Sequence, residues 1–257
     1  MSMKWYIITK RTLVYGALIF ALAVGAFTFS GHKILQASGT PRKIPVYCVG
    51  REDKKISVSF DAAWGNEDTE ALIEILAARD VKATFFVVGA WVDKYPESVK
   101  ALHEAGHEIQ SHSDSHPHMP KLSREDMAKE IQNTADKIEA VTGVHPTLFR
   151  PPYGEYSNTL IEVLESQNHT CIQWDVDSLD WKNPTPEKIT STVTKKVKSG
   201  SIILFHNAAQ NTPAALPGIL KALQADGYEF VKISQLIYTD NYTIDHAGVQ
   251  NPVRAEG

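Results

Sequence analysis

From about Val46 onward the chain alternates short β-rich runs with helical patterns, and this alternation constrains the fold more than any other feature. "KISVSF" precedes "EDTEALIEILAARD", in which Leu72, Ile75, Leu76 and Arg79 keep helical spacing. "KATFFVVG" precedes "PESVKALHEAG", and "HEIQSH" precedes "SREDMAKEIQNTADKIEAVTG". That last helix opens on Ser123 with an acid at Asp126, a box-like cap, and stops at Gly143. Its apolar positions Met127, Ile131, Ile138 and Val141 form one stripe. "TLFR", "CIQWDV", "SIILFH" and "YEFVKI" are followed in the same way by helical segments. Repeated β-α units imply a parallel sheet covered by helices. About seven clear strands leave an open doubly wound sheet and a β/α barrel both open.

A chain of 257 residues suits one sizeable domain, or at most two, and buries a core without covalent staples. The net charge of -4 gives no sign of nucleic-acid binding. Two cysteines, Cys48 and Cys171, make neither a disulfide framework nor a thiolate zinc site. Two unrelated buried thiols are expected, with pairing outside the cytosol as the alternative.

The N-terminus is distinct. Lys4, Lys10 and Arg11 precede an uncharged run from Thr12 to Ser30. At about 1.5 Å rise per residue such a run nearly spans a ~30 Å hydrocarbon core. The basic flank stays in the cytoplasm and places the rest of the chain outside. A cleaved signal peptide is the rival, but Leu35-Gln36-Ala37 fits a small-x-small cleavage site poorly. The expected organisation is a basic N-terminus (1–11), a membrane anchor (12–30), a linker with an N-terminal strand (31–54), a main domain (55–238) and a C-terminal tail (239–257).

Polar residues follow the strands in an order that periodicity does not require. Asp61 follows "KISVSF", His112 and His116 follow "HEIQS", and Arg150 follows "TLF". Asp177 and Asp180 follow "CIQWDV", and His206 follows "SIILF". In a parallel sheet or barrel these ends meet on one face, where the βα loops build the site. Each residue alone has a plain structural explanation, such as a helix cap, a surface pair or a satisfied histidine. Five strand ends carrying such groups together point to a catalytic cleft.

"SHSDSHPHMP" places His112 and His116 four apart, which one helical turn would put on one side. That spacing suits metal ligation. Zinc is the default for two histidines plus a carboxylate; cobalt, iron or manganese also fit.

Five motifs in order, "SFDAAWG", "HSDSH", "RPPYG", "DSLDW" and "LFH", resemble those of the polysaccharide deacetylases of the NodB-homology type, carbohydrate esterase family four. The chain looks closest to their sporulation-associated, membrane-anchored subgroup. The resemblance covers roughly Lys55 to Tyr238 and implies a distorted, incomplete (β/α) barrel of seven or eight strands, here preceded by a transmembrane helix. It implies a hydrolase that removes N-acetyl groups from amino sugars of peptidoglycan or chitin-like glycan with the help of a divalent metal. By position, Asp61 resembles the general base and His206 the general acid. Asp180 would pair with His206, and Arg150 with Asp61. His112 and His116 would be metal ligands. The Tyr153 backbone N–H would help hold the oxyanion. Tyr153 and Trp181 would wall the sugar cleft, and Leu204 would line a pocket for the acetyl methyl.

One departure stands at the opening motif. The family's usual text is Thr-Phe-Asp-Asp-Gly, with the second acid a metal ligand. This chain has Ala62 there, followed by Ala63 and Trp64, with the glycine delayed to Gly65. Three resolutions compete. Glu67 or Asp68 supplies the carboxylate, Asp114 does, or metal binding is weak or absent and the protein is a degenerate, glycan-binding or structural relative.

The sequence thus predicts a monomeric, single-pass cell-membrane protein of a spore former, its domain outside the cytoplasm in the forespore or cell envelope. Its expected partners are an N-acetylated glycan and the membrane, with no nucleic acid. Protease added to intact cells stripped of their wall should degrade the domain. Protection would reject this topology, and a mature chain beginning near residue 38 would reject the uncleaved anchor.

Overall fold

The computed structural model describes residues 41–253. The anchor at 12–30 therefore lies outside the described residues. Among those described, no helix is long and apolar enough to cross a membrane.

Eleven strands are present among the described residues: β1 Cys48–Val49, β2 Lys55–Ala62, β3 Thr84–Val87, β4 Glu108–Ser111, β5 Leu148–Phe149, β6 Thr170–Cys171, β7 Val176–Asp177, β8 Ile202–His206, β9 Glu229–Phe230, β10 Tyr242–Ile244 and β11 Val249–Pro252. The main sheet runs in the order β6-β5-β4-β3-β2-β8-β7, with β9 added against β2. Every pairing in it is parallel. Helices Thr69–Ala77, Pro96–Glu104, Arg124–Thr142, Asn158–Ser166, Pro186–Thr194 and Thr212–Ala225 alternate with the strands. The result is a curled half-barrel, which sets aside the flat doubly wound alternative.

The edge strands β6 and β7 come from the single run "CIQWDV", read from sequence as one strand. The chain breaks between them because it must cross the gap between the two edges. Gln173 N–H donates to Val46 O on one side, and Asp175 accepts from Ser201 Oγ and Ile202 N on the other. The segment before β1 fills this gap through isolated bridges from Val46 to Ile172 and from Cys48 to Ser201. The C-terminal stretch read as a tail instead carries a hairpin, β10–β11, whose β11 pairs with β1. Cys48 and Cys171 are both free and buried.

Strand β2 has an apolar outer face and a polar inner face. Ile56, Val58 and Phe60 pack with Leu72, Leu76, Leu216 and Leu220 under the helices. Phe60 stacks on Phe85 with ring centroids 4.8 Å apart. Because side chains alternate along a strand, Ser57, Ser59 and Asp61 face the interior. Ser57 Oγ donates to Val231 O and Ser59 Oγ to Ile203 O, so both hydroxyls are satisfied. Below them Val46, Val49, Phe86, Leu148, Ile172 and Ile202 close the barrel floor with Ile233 and Leu236.

The long helix forms as its sequence indicates. Ser123 Oγ accepts from Asp126 N, and Gly143 ends the helix in the left-handed conformation at φ 72°. Gly200 is a tighter constraint. It has φ +80°, and a Cβ there would lie 1.7 Å from the carbonyl oxygen of Val49. Its own carbonyl accepts from Val49 N, tying β1 to the start of β8. Gly200→Ala should destabilise the domain by about 2–4 kcal/mol, through left-handed strain and displaced backbone. A urea midpoint equal to that of the natural chain would contradict this reading of the contact.

Candidate active site

The site is built on β2 and the strands beside it. Arg150, just past β5, is fully buried. Its Nη1 donates to Asp61 Oδ1 at 2.7 Å, and its Nη2 to Ser59 Oγ at 2.9 Å and Gln173 O at 3.2 Å. Its guanidinium carbon lies 4.1 Å from the centre of the Phe86 ring. Burial opposes the charge on Asp61, but the Arg150 guanidinium, with help from His206, outweighs it and holds the carboxyl below the ordinary range. Asp61 is therefore an ionised acceptor in a nearly dry setting.

Arg150 also places His112. Its backbone N–H donates to Ser111 O, and its carbonyl accepts from His112 Nδ1 at 2.7 Å. With the proton on Nδ1, the Nε2 lone pair faces Asp61 Oδ2 at 3.6 Å. His116 does not reach this region by a helical turn, as the spacing suggests. The segment is a loop with left-handed residues at Ser113 (φ 69°) and His116 (φ 58°). That path brings the two imidazole centroids to 5.0 Å. Burial lowers His112, and it lowers His116 to about 4, helped by His112, so both rings are neutral.

His206 ends β8 opposite Asp61, its register partner on β2. Its Nδ1 bonds Asp180 Oδ1 at 2.8 Å, and its backbone N–H donates to Asp180 Oδ2. Asp180 Oδ2 also accepts from Thr212 Oγ1. Burial works against the imidazolium, yet the Asp180 hydrogen bond and the charges of Asp61 and Asp180 raise its pKa above the ordinary value. The rim thus carries an ionised carboxylate beside a histidine that favours its protonated form.

The remaining expected residues are spread around this rim. Leu204 lies two residues before His206 on β8 and is 1% exposed. Tyr153 (φ 60°) and Trp181 are each 58% exposed, on turns that follow β5 and β7. Asp177 accepts from Leu179 N and shapes the turn rather than joining the cluster.

The residues present do not complete a divalent-metal site. Two neutral imidazoles suit a metal, and His116 Nδ1 is buried without a hydrogen-bond partner. The carboxylate is what is missing. Ala62 ends β2 as a buried methyl group, and Asp61 Oδ1 is held by Arg150. Asp68 Oδ2 accepts from Ala208 N, and Glu67 from Asn66 N. Asp114 is turned to the long helix, where Lys137 Nζ pairs with it at 2.6 Å. Among the described residues no group of three or more His, Cys, Asp or Glu is placed to hold a metal ion.

Several supporting residues were not singled out by sequence reasoning. Asn207 Oδ1 accepts from Ala63 N, and its Nδ2 donates to the carbonyls of Trp64 and Gly65. Trp91 Nε1 donates to the Gly65 carbonyl as well. Ser59 holds Arg150, and Thr212 holds Asp180. Strand alternation could have flagged Ser59, two residues before Asp61. Nothing local marks Thr212 or Trp91.

A parallel β/α half-barrel with an arginine–carboxylate pair and a histidine–carboxylate pair at its carboxyl rim has the build of a hydrolase. Comparison with known proteins gives the particular kind. The polysaccharide deacetylase family model matches residues 49–172. A peptidoglycan-N-acetylglucosamine deacetylase of Bacillus cereus is 32% identical over 189 residues, 72% of this chain and 69% of that protein. The peptidoglycan-N-acetylglucosamine deacetylase PgdA of Listeria monocytogenes is 36% identical over 194 residues, 76% of this chain and 41% of that protein. The chain also spans only 60% of a Bacillus subtilis relative. Among solved structures, a CE4 family pseudoenzyme from Bacillus anthracis superposes with a TM-score of 0.72 at 33% identity, covering 75% of this chain and 68% of that one. A mutant of that pseudoenzyme is described as having restored enzymatic activity. The chain belongs to the polysaccharide deacetylase family, carbohydrate esterase family four.

The His206–Asp180 pair makes a pH prediction. The folded pKa of His206 lies above its unfolded value, so the stability that the pair contributes is full below the unfolded pKa, near 6.5. It is lost as pH rises through the folded pKa. NMR titration should place the His206 midpoint above that ordinary value, and Asp180→Asn should bring it down. A midpoint unmoved by Asp180→Asn would show that the pair does not control this proton.

Proposed function

We propose that the chain acts on N-acetylated amino sugars of cell-wall or spore-wall glycan, presented outside the cytoplasm from a membrane anchor. Asp61 takes a proton from the attacking water, and His206 gives one to the leaving amine. The observation that carries this reading is the register of β2 against β8. It sets an ionised Asp61 beside a proton-holding His206 on one rim. Arg150 keeps Asp61 charged and aimed. Asp180 holds His206 through Nδ1, which leaves Nε2 for the leaving group. Tyr153 and Trp181 offer aromatic walls, and Leu204 lies behind His206 as the lining for an acetyl methyl. The deacetylase names of the relatives support this substrate class.

A second reading is favoured by Ala62. With a methyl group at the end of β2 and no third donor, the proton-transfer residues lack the electrophile that an amide needs. The natural chain would then bind glycan without turning it over, and the Bacillus anthracis neighbour, which is described as a pseudoenzyme, supports the loss of turnover in this reading.

Amine release from N-acetylglucosamine oligomers, measured with and without added zinc, separates the two readings. Under the first, the natural chain releases amine, and Asp61→Asn and His206→Ala each lower the rate ~100-fold or more. Under the second, the natural chain binds oligomers and releases none. Ala62→Asp should tighten zinc binding by about tenfold or more, because an anionic oxygen replaces a methyl group at the position where the family's opening motif carries its metal-ligating acid. Amine release should rise with it. Wild-type turnover in both Asp61→Asn and His206→Ala would remove the acid–base assignment.

A further inference from the structure

Trp64 belongs to the stretch that departs from the family's opening motif, and the acid–base chemistry makes no use of it. It is 56% exposed, yet the backbone around it is firmly held. Asn207 Nδ2 donates to the carbonyls of Trp64 and Gly65, Asn207 Oδ1 accepts from Ala63 N, and Trp91 Nε1 donates to the Gly65 carbonyl at 2.6 Å. Asn207 is the neighbour of His206, so the loop that presents Trp64 is tied to the strand that presents the acid.

Among the described residues the ring has one aromatic neighbour, His116, at 5.2 Å and 72°. An edge-to-face contact of this kind leaves at least one indole face open to solvent. The contact extends an aromatic row along the rim. His118 stacks on Tyr153 at 4.4 Å, Tyr153 meets His116 at 4.7 Å, and His116 meets Trp64. A single exposed apolar side chain needs no explanation. Here the three large aromatic residues that stand exposed among the described residues, Trp64, Tyr153 and Trp181, follow the carboxyl ends of β2, β5 and β7. All three therefore gather on the catalytic rim.

The strand order fixes their arrangement. In the path β2-β8-β7, His206 ends the middle strand, Trp64 follows one neighbour, and Trp181 follows the other. A sugar whose acetamide lies between Asp61 and His206 is therefore flanked by Trp181 on one side and Trp64 on the other. Flat apolar faces bordered by Asn207, Asp61 and His206 suit a pyranose ring, which is apolar on its faces and polar at its edge.

We infer that Trp64 forms a separate subsite that stacks on the sugar adjoining the reacting one, so that the chain selects extended glycan over single sugars. This rests on the reading of the rim as a glycan site. The test is calorimetric titration of the full-length chain in detergent micelles with β-1,4-linked N-acetylglucosamine as monomer, dimer and tetramer. Trp64→Ala and Trp64→Gln should weaken tetramer binding about tenfold and leave monomer binding within about twofold, while Trp64→Tyr stays within about threefold of the natural chain. Matching thermal unfolding midpoints for the Gln and Tyr variants exclude a folding defect. Unchanged tetramer affinity in both Trp64→Ala and Trp64→Gln, with affinity lost in Trp181→Ala, overturns the subsite while keeping the glycan reading. Equal losses for monomer and tetramer also overturn it, because the residue would then belong to the reacting sugar's own site. A natural chain that binds no oligomer of any length rejects the glycan reading and the subsite with it.

Discussion

The rest of the site depends on one buried ion pair, Arg150 with Asp61. A fully buried guanidinium and a carboxylate 6% exposed would each be costly alone in the barrel interior. Together, with Ser59 and the Gln173 carbonyl accepting further guanidinium hydrogens, they offset much of that cost, and among the described residues only Nε of the guanidinium is left buried without a partner. The same arginine fixes the tautomer of His112 through its backbone carbonyl. One residue therefore sets the charge state of Asp61 and the orientation of the imidazole beside it. The inward line of Ser57, Ser59 and Asp61 on β2 lets a charged pair occupy what would otherwise be an apolar floor.

Around that pair the charges divide into two halves. The half at β8 is complete: Asp180 accepts from the His206 ring, the His206 backbone and Thr212, so the imidazole is both oriented and proton-holding. The half at β4 is not. Two neutral imidazoles meet there, with a buried nitrogen on His116 left unpartnered and a methyl group where the family carries an acid. Of the three nearby carboxylates, Glu67 is engaged by its own loop and Asp114 by Lys137, while Asp68 takes a backbone amide on Oδ2 and keeps a buried Oδ1 without a partner. The space above His116 is bordered by the rings of Trp64 and Tyr153. The part of the site without a third ligating side chain among the described residues is thus bordered by aromatic surface.

Much of this was legible in the sequence because it rests on local spacing. The β-α alternation gave the parallel sheet, the Ser123 and Gly143 signals gave the ends of the long helix, and residues just past strand ends gave Asp61, Arg150, Asp180 and His206. Alanine at position 62 could be read directly as a departure. The less legible parts were those where distant segments meet. The split of "CIQWDV" into two edge strands follows from the gap that the segment must cross. The hairpin near the C-terminus is held by pairing with β1, some 200 residues earlier in the chain. His112 and His116 come together through two left-handed loop residues rather than a helical turn, and no spacing rule supplies that path.

The sequence by itself determined the order of the chemistry: which strand ends carry an acid, an arginine or a histidine, and that position 62, next to Asp61, is an alanine. It could do so because strand period and βα order fix which residues emerge at the carboxyl rim. Only the tertiary structure decided which of those groups touch. It put Arg150 on Asp61, Asp180 on His206 and Asn207 under the Trp64 loop. It also paired Asp114 with Lys137 of the long helix. Those choices depend on sheet curvature and on hydrogen bonds between segments far apart in sequence, which local pattern does not encode.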